Sequence, residues 1–321
     1  MQKVLFDTDP GIDDAMALAL IHASPALDLI GMTTVFGNAD VETTTANARY
    51  LAGRLGVTAP IHKGAASPLV GTRHPSPVHI HGHNGLGDVA LSVAPLAPLQ
   101  DQPAHEFIID SLRAHPGEIT LIAVAPLTNL ALALRAAPDI VGLARQVIIM
   151  GGAFGWGSRR GNVTPVAEAN IFNDAHAADA VMTAGWPVVM VGLDVTASCV
   201  LSNADAARLP GDAGRLLFEI SRNYAEIYRR FDGIDGCCLH DVAAVAYIID
   251  PGLFTLERGA IRVATEGVAL GQTILRPEGQ TFPPGAWDNI PLQHVCREVD
   301  APAVVAMLIE HILALADGAR G

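Results

Sequence analysis

VLFDTDPGIDDAMALALIHA, residues 4–23, holds the pattern from which the fold is read. A short apolar run, Val4–Asp7, ends in carboxylates, and Pro10 and Gly11 then supply a sharp turn. Asp14–His22 follows as an Ala/Leu-rich helical pattern. The rhythm recurs downstream. Strands are predicted at Leu29–Val35, Ile119–Val124, Val147–Met150 and Val188–Leu193, and helices at Thr43–Leu55, Leu127–Ala136 and Ala175–Ala184. Such alternation predicts an α/β fold, an open and mostly parallel β-sheet flanked by helices. The linker-like stretch Ala94–Pro103 is too short to mark a boundary, so a single domain is expected over residues 1–321.

Polar clusters follow the strands: Asp7-Thr8-Asp9-Pro10-Gly11, Phe36-Gly37-Asn38, Ala125-Pro126-Leu127-Thr128-Asn129, Gly151-Gly152-Ala153 and Asp194. Open parallel sheets bind ligands beyond the carboxyl ends of their strands, so a site built from these loops is expected. Two longer irregular segments, Gly64–Asp88 and the glycine-rich Gly151–Asn162, are candidate lids.

Composition narrows the chemistry. The chain has 321 residues, half of them hydrophobic, and a formal net charge of -13. A phosphate backbone needs a basic face, so nucleic acid is not an expected partner. No long charge-free apolar run reads as a membrane span, and aspartates arrive too early for a signal peptide, so no membrane partner is expected. Cys199, Cys237, Cys238 and Cys296 form neither a disulfide framework nor a C-x-x-C pair, which fits a reduced cytoplasmic location. Cys237, Cys238 and His240 make a poor zinc set, because adjacent cysteines point apart and a fourth ligand is missing.

Asp7, Asp9, Asp13 and Asp14 crowd together after the first strand. Carboxylates packed that closely repel one another unless a cation or raised pKa values compensate. Oxygen donors at this density suit a hard cation; calcium readily accepts six to eight of them, and the carboxylate count leaves magnesium open. A single aspartate could instead cap the following helix. Strand-Asp-x-Asp also opens haloacid-dehalogenase-like phosphatases, with Asp7 as nucleophile, Asp9 as acid/base and magnesium assisting. Those enzymes continue Asp-Gly-Thr, whereas this chain continues Asp9-Pro10-Gly11.

Asp7-Thr8-Asp9-Pro10-Gly11-Ile12-Asp13-Asp14-Ala15 resembles the signature of the nucleoside hydrolase family of inosine–uridine-preferring type. Thr33-Thr34-Val35-Phe36-Gly37-Asn38, His79-Ile80-His81-Gly82, Pro126-Leu127-Thr128-Asn129, Met150-Gly151-Gly152, Glu168-Ala169-Asn170 and His240-Asp241 follow in the family's order. The resemblance implies hydrolysis of the N-glycosidic bond of ribonucleosides through an oxocarbenium-like ribose. It implies one calcium ion held by Asp9, Asp14, Asp241 and the backbone carbonyl of Val124. Asp9 would be the general base and His240, whose type can titrate near neutrality, the acid to the leaving base. Asp13, Asn38, Asn162, Glu168, Asn170 and Asp241 would hold the ribose, with His81 near the nucleoside. Tyr224, Tyr228 and Phe231 could face the base as substrate-binding residues, with a core stripe as their other reading. A homodimer or homotetramer is expected from the family. A non-catalytic nucleoside-binding protein is the remaining alternative.

Three local expectations accompany this reading. Glu168 and Asn170, two apart, face one side if extended. His79, His81 and His83 alternate likewise, so they could hold a transition metal, although solvated loop histidines are commoner. Arg159-Arg160 reads as a solvated basic pair. Ala169 stands where related enzymes carry an aromatic residue, which puts base stacking in question.

Overall fold

A computed structural model describes residues 1–92, 94–157 and 159–318. The strands are β1 Gln2–Thr8, β2 Leu27–Thr34, β3 Ile61–Lys63, β4 Leu99–Gln100, β5 Thr120–Ala123, β6 Gln146–Met150, β7 Val188–Val191, β8 Val200–Ser202, β9 Gly236–Cys238, β10 Phe254–Val263, β11 Thr273–Pro277 and β12 Leu292–Val299. The helices are α1 Ile12–Ala23, α2 Val41–Leu55, α3 Val78–His81, α4 Ala104–Ala114, α5 Thr128–Ala136, α6 Ala169–Asn173, α7 Ala175–Thr183, α8 Leu193–Thr196, α9 Asn203–Ala206, α10 Gly211–Asp232, α11 His240–Ile249 and α12 Ala301–Ala316. The five strands and four helices predicted from the sequence are all present, with ends shifted by a few residues.

Among the described residues ten strands form one sheet in the order β11-β10-β12-β7-β6-β5-β1-β2-β3-β4. Pairing is parallel from β4 through β12, and β10 runs antiparallel to both its neighbours. Alternate residues of β1 feed opposite cores: Val4 and Phe6 pack with α1 and α11, and Leu5 packs with α4, α5 and α7. Helix α1 is apolar nearly all round and therefore buried all round, packed against α10, α11 and α12. The sequence order reverses between β1 and β5, with β2 to β4 on one side and β6 and β7 on the other. That switch opens a crevice at the strand ends, where the loop after β1 lies.

Several local expectations are corrected. The antiparallel edge β10–β11 lies outside the predicted strands; its strand β10 carries charges and a mid-strand Gly259 rather than an apolar run. Ala94–Pro103 contributes the edge strand β4. His79 and His81 lie on one helical turn, α3, so 79–83 is not an extended row of histidines. Asn170 lies in α6 and Glu168 is its N-cap, because the Glu168 carboxylate accepts from the backbone N–H groups of Asn170 and Ile171. Among the described residues, no helix is long and apolar enough to cross a membrane.

Candidate active site

The carboxylates after β1 meet at the crevice from different directions. Asp7 points inward, where its Oδ1 accepts from Thr33 Oγ1 at 2.6 Å and Asn129 Nδ2 at 2.8 Å. Burial drives its pKa up to about 7, against the pull of those two hydrogen bonds. Asn129 also donates to Thr34 O and accepts from Ala65 N, tying β2 and the start of the 64–88 loop to this point. Asp9 Oδ2 accepts from Asn38 N at 2.7 Å, while its Oδ1 is buried with no hydrogen-bond partner. Asp14 accepts from Thr8 Oγ1 at 2.5 Å, Gly11 N at 2.9 Å and Asn38 Nδ2 at 3.1 Å. It therefore caps the turn into α1 as well as facing the crevice.

Asp241, from the first turn of α11, completes the cluster. Asp13, Asp14 and Asp241 each offer an oxygen within 4.8 Å of the others, and all three are buried. Burial raises the pKa of each of Asp9, Asp13, Asp14 and Asp241, and repulsion from neighbouring carboxylates adds to it for Asp9, Asp13 and Asp241. None of the four forms an ion pair with a lysine or arginine among the described residues. Buried negative charge of this density needs protons or a bound cation. All donors are hard oxygens and one is unsatisfied, so the residues fit a hard divalent cation. The Val124 carbonyl, at the end of β5, lines the same recess and accepts from Asn170 Nδ2 at 3.0 Å. The only His/Cys/Asp/Glu grouping with metal-ligand geometry among the described residues is the acidic one, so neither Cys237/Cys238 nor the histidine run supplies a zinc site.

The opposite wall comes from the loop after β6 and α6. Glu168 Oε2 accepts from Gly152 N at 3.0 Å, and Asn162 Oδ1 accepts from Ala169 N at 3.0 Å. These bonds fold Asn162, Glu168 and Asn170 over the recess they share with Asp13, His240 and Asp241.

A third wall is aromatic. Tyr224 and Tyr228 lie one turn apart on α10 with their hydroxyls 3.1 Å apart. Tyr228 Oη is 2.7 Å from His240 Nε2, and His240 Nδ1 is 2.7 Å from Thr196 Oγ1. Burial, helped by the Arg159 and His81 charges, pushes the His240 pKa down to about 3. The near-neutral titration expected of its residue type therefore does not apply. His81 is likewise held down to about 4 by burial; it faces Tyr224 with ring centroids 5.5 Å apart and has an unpartnered Nδ1. Outside lies a cavity of about 690 Å³, lined by residues such as His81, Ala169, Phe172, Tyr228 and Phe231. Phe172 stacks on His74 at 4.6 Å, a partial aromatic wall beside the small Ala169.

Nine of the ten residues assigned catalytic or substrate-binding roles from the sequence line this recess or the cavity outside it, whereas Asp9 lies behind them, joined through Asn38, and the carboxylates that share metal-ligand geometry are Asp13, Asp14 and Asp241. Asp194 lines neither: its carboxylate accepts from Phe154, Trp156 and Gly157 N–H groups and shapes the glycine-rich loop instead. Thr196, which orients His240, carried no sequence signal. Arg159 is not a solvated residue. Its Nη2 lies 2.7 Å from Asp232 Oδ1 and its guanidinium lies over the Tyr228 ring.

Residues 4–306 match the family described as inosine-uridine preferring nucleoside hydrolase. The non-specific ribonucleoside hydrolase RihC of Escherichia coli is 40% identical over 280 residues, 86% of this chain and 88% of its own length. Uridine nucleosidase 1 of Arabidopsis thaliana is 37% identical over 278 residues, 85% of this chain and 82% of its own. Among solved structures, the plant nucleoside hydrolase PpNRh1 superposes with a TM-score of 0.93 at 36% identity, covering 98% of this chain and 99% of that one.

Proposed function

The chain belongs to the inosine-uridine preferring nucleoside hydrolase family and hydrolyses ribonucleosides, and from that premise we propose a calcium-dependent reaction through an oxocarbenium-like ribose. The observation that carries the proposal is the group of four buried carboxylates that have no basic partner among the described residues, one of which, Asp9, keeps a free oxygen.

Asp9, Asp14, Asp241 and the Val124 carbonyl would hold the ion, with Asp13 close enough to share it or to bind a ribose hydroxyl. When bound, the ion would supply positive charge that acidifies water at the site. Asp9 Oδ1 accepts a proton from the attacking water, whose oxygen joins C1′. The C1′–N electron pair leaves with the base, which is protonated, so the net change is the addition of one water. Positive charge developing on the sugar is stabilised by the surrounding carboxylates. Asn38, Asn162, Glu168 and Asn170 supply uncharged and charged hydrogen-bonding groups for the ribose, and their placement fits its lack of charge.

The leaving base draws its proton from the hydrogen-bonded Tyr228–His240 pair; the pair is then reprotonated from solvent while Asp9 releases the water's proton to it, which restores the site. Thr196 fixes the orientation of the imidazole from the other side. An Asp-x-Asp phosphatase is disfavoured by the same cluster, which repels phosphate. The four cysteines are free and buried, which supports the cytoplasmic reading; a dimer or tetramer is testable by light scattering.

The test is base release from uridine and inosine by purified, calcium-loaded protein. Free base and ribose in equal amounts support the reading. Binding without release, across all five common ribonucleosides, would sink it in favour of a binding protein.

Gly37 provides a sharp secondary prediction. A Cβ there would sit 1.8 Å from Asp9 Oδ2, too close to coexist with it. Gly37→Ala is expected to displace Asp9 and lower kcat/KM on the order of 10²-fold, the scale of an ångström misplacement. A variant as active as wild type would show that the Asp9 position is not critical.

A further inference from the structure

We infer that Arg159 is a positioning residue: paired with Asp232 across the cavity mouth, it holds Tyr228 in place to serve the leaving base. The inference rests on the proton path proposed above, and extends it to a residue that touches neither the ribose nor the carboxylate cluster.

Arg159 belongs to the glycine-rich loop after β6, whose two ends are anchored. At one end the Asp194 carboxylate gathers the N–H groups of Phe154 at 2.7 Å, Trp156 at 2.7 Å and Gly157 at 3.1 Å. At the other, Asn162 N donates to Ala167 O and Asn162 Oδ1 accepts from Ala169 N. Between these anchors Arg159 leaves the loop and reaches α10. Its Nη2 lies 2.7 Å from Asp232 Oδ1, and its Cζ lies 6.0 Å from the Tyr228 ring centroid.

Asp232 is the last residue of α10, where the helix dipole presents partial negative charge. A carboxylate there is unfavourable by itself, so a cation from outside the helix has an electrostatic reason to dock. The two side chains are only 23% and 29% exposed, which limits solvent screening of the pair. The planar guanidinium meets the ring of Tyr228 as well as the carboxylate, a combination that Lys reproduces only in part.

The consequence concerns orientation. Tyr228 Oη must stay 2.7 Å from His240 Nε2 while its ring borders the open cavity. Helix α10 is otherwise tied down on this side by Asn223 Nδ2 donating to Ile80 O of α3 at 3.3 Å. Arg159 adds a clamp from the opposite loop, one turn beyond Tyr228. Removing it frees the hydroxyl to leave the imidazole without disturbing Asp9 or the ribose wall.

The experiment compares two leaving groups on calcium-loaded enzyme. Inosine needs a proton on its departing base; 4-nitrophenyl β-D-ribofuranoside releases a phenolate that needs none. Arg159→Ala is expected to lower kcat for inosine about tenfold or more, a part of the usual general-acid contribution. KM for inosine, and kcat for the nitrophenyl riboside, should stay within about twofold, as expected when only protonation of the leaving group is impaired. Arg159→Lys, a milder change, should recover part of the loss. Asp232→Ala should reproduce it, and the double variant should add little, as required of partners in one contact. Equal loss on both substrates would overturn the inference in favour of a general structural role. No loss on inosine, or additive losses from the two sites, would overturn it as well. A wild-type enzyme inert toward both substrates would instead strike the hydrolase reading itself, so the two failures are distinguishable.

Discussion

Asp9→Asn is expected to reduce kcat/KM for uridine and inosine by about 10³-fold or more, within the range of lost general-base catalysis combined with lost ligand charge. The amide keeps the volume of the carboxylate but cannot take a proton from water. The same substitution should raise the melting temperature of the metal-free protein. Asp9 is buried with its pKa held above the usual carboxylate range by desolvation and by Asp14, so its ionised form opposes folding at neutral pH. Lost activity with gained apo stability is a signature that misfolding cannot produce. A variant retaining more than about a tenth of wild-type activity would remove Asp9 from the role of base, since that loss is well below the general-base contribution.

Stripping calcium is expected to abolish turnover and lower the melting temperature by several degrees, with both recovered at one ion per chain. A ligand at about 1,000 times its Kd contributes about 4 kcal/mol to the folded state. The pH dependence follows from the same carboxylates. A group whose folded pKa is raised contributes stability below its unfolded pKa and loses it as pH rises through the folded value. For Asp7 that window runs from the ordinary 3.8 to about 7, and the cluster is displaced in the same direction. Metal-free protein should therefore melt at a higher temperature at pH 6 than at pH 8, and calcium should narrow the gap. Chelated protein that keeps full activity would refute metal dependence. Equal recovery with magnesium, which prefers fewer ligands in strict octahedral geometry, would leave the metal and refute the choice of calcium.

Much of this molecule is legible in its sequence because the relevant signals are local. Strand β1, the Pro10-Gly11 turn and the buried α1 are declared by apolar pattern and turn chemistry within residues 4–23. The parallel sheet follows from the repeated alternation, and the position of the site follows from the polar residues after each strand. The density of Asp7, Asp9, Asp13 and Asp14 announces a charge problem without any coordinates. The ordered family motifs pointed to the distant partners Asn38, Glu168, Asn170 and Asp241, which the fold does bring together.

The tertiary structure decided what local pattern cannot carry. Spacing two apart suggested an extended Glu168–Asn170 and an extended histidine run, but helical turns formed, since backbone N–H groups found the Glu168 carboxylate as a cap and α3 docked on α10. Strand β10 joins the sheet by pairing with β11 and β12, so its charged sequence hides the strand. Residue type alone places His240 near neutrality, whereas burial beside Tyr228 and Thr196 makes it a neutral partner in a hydrogen-bonded chain. Arg159 reads as solvated until Asp232 and the Tyr228 ring are placed against it. Sequence determined which elements form and which residue types are available, through interactions spanning a few residues. Protonation, pairing and orientation depend on desolvation and on contacts between distant segments, and only the packed fold sets those.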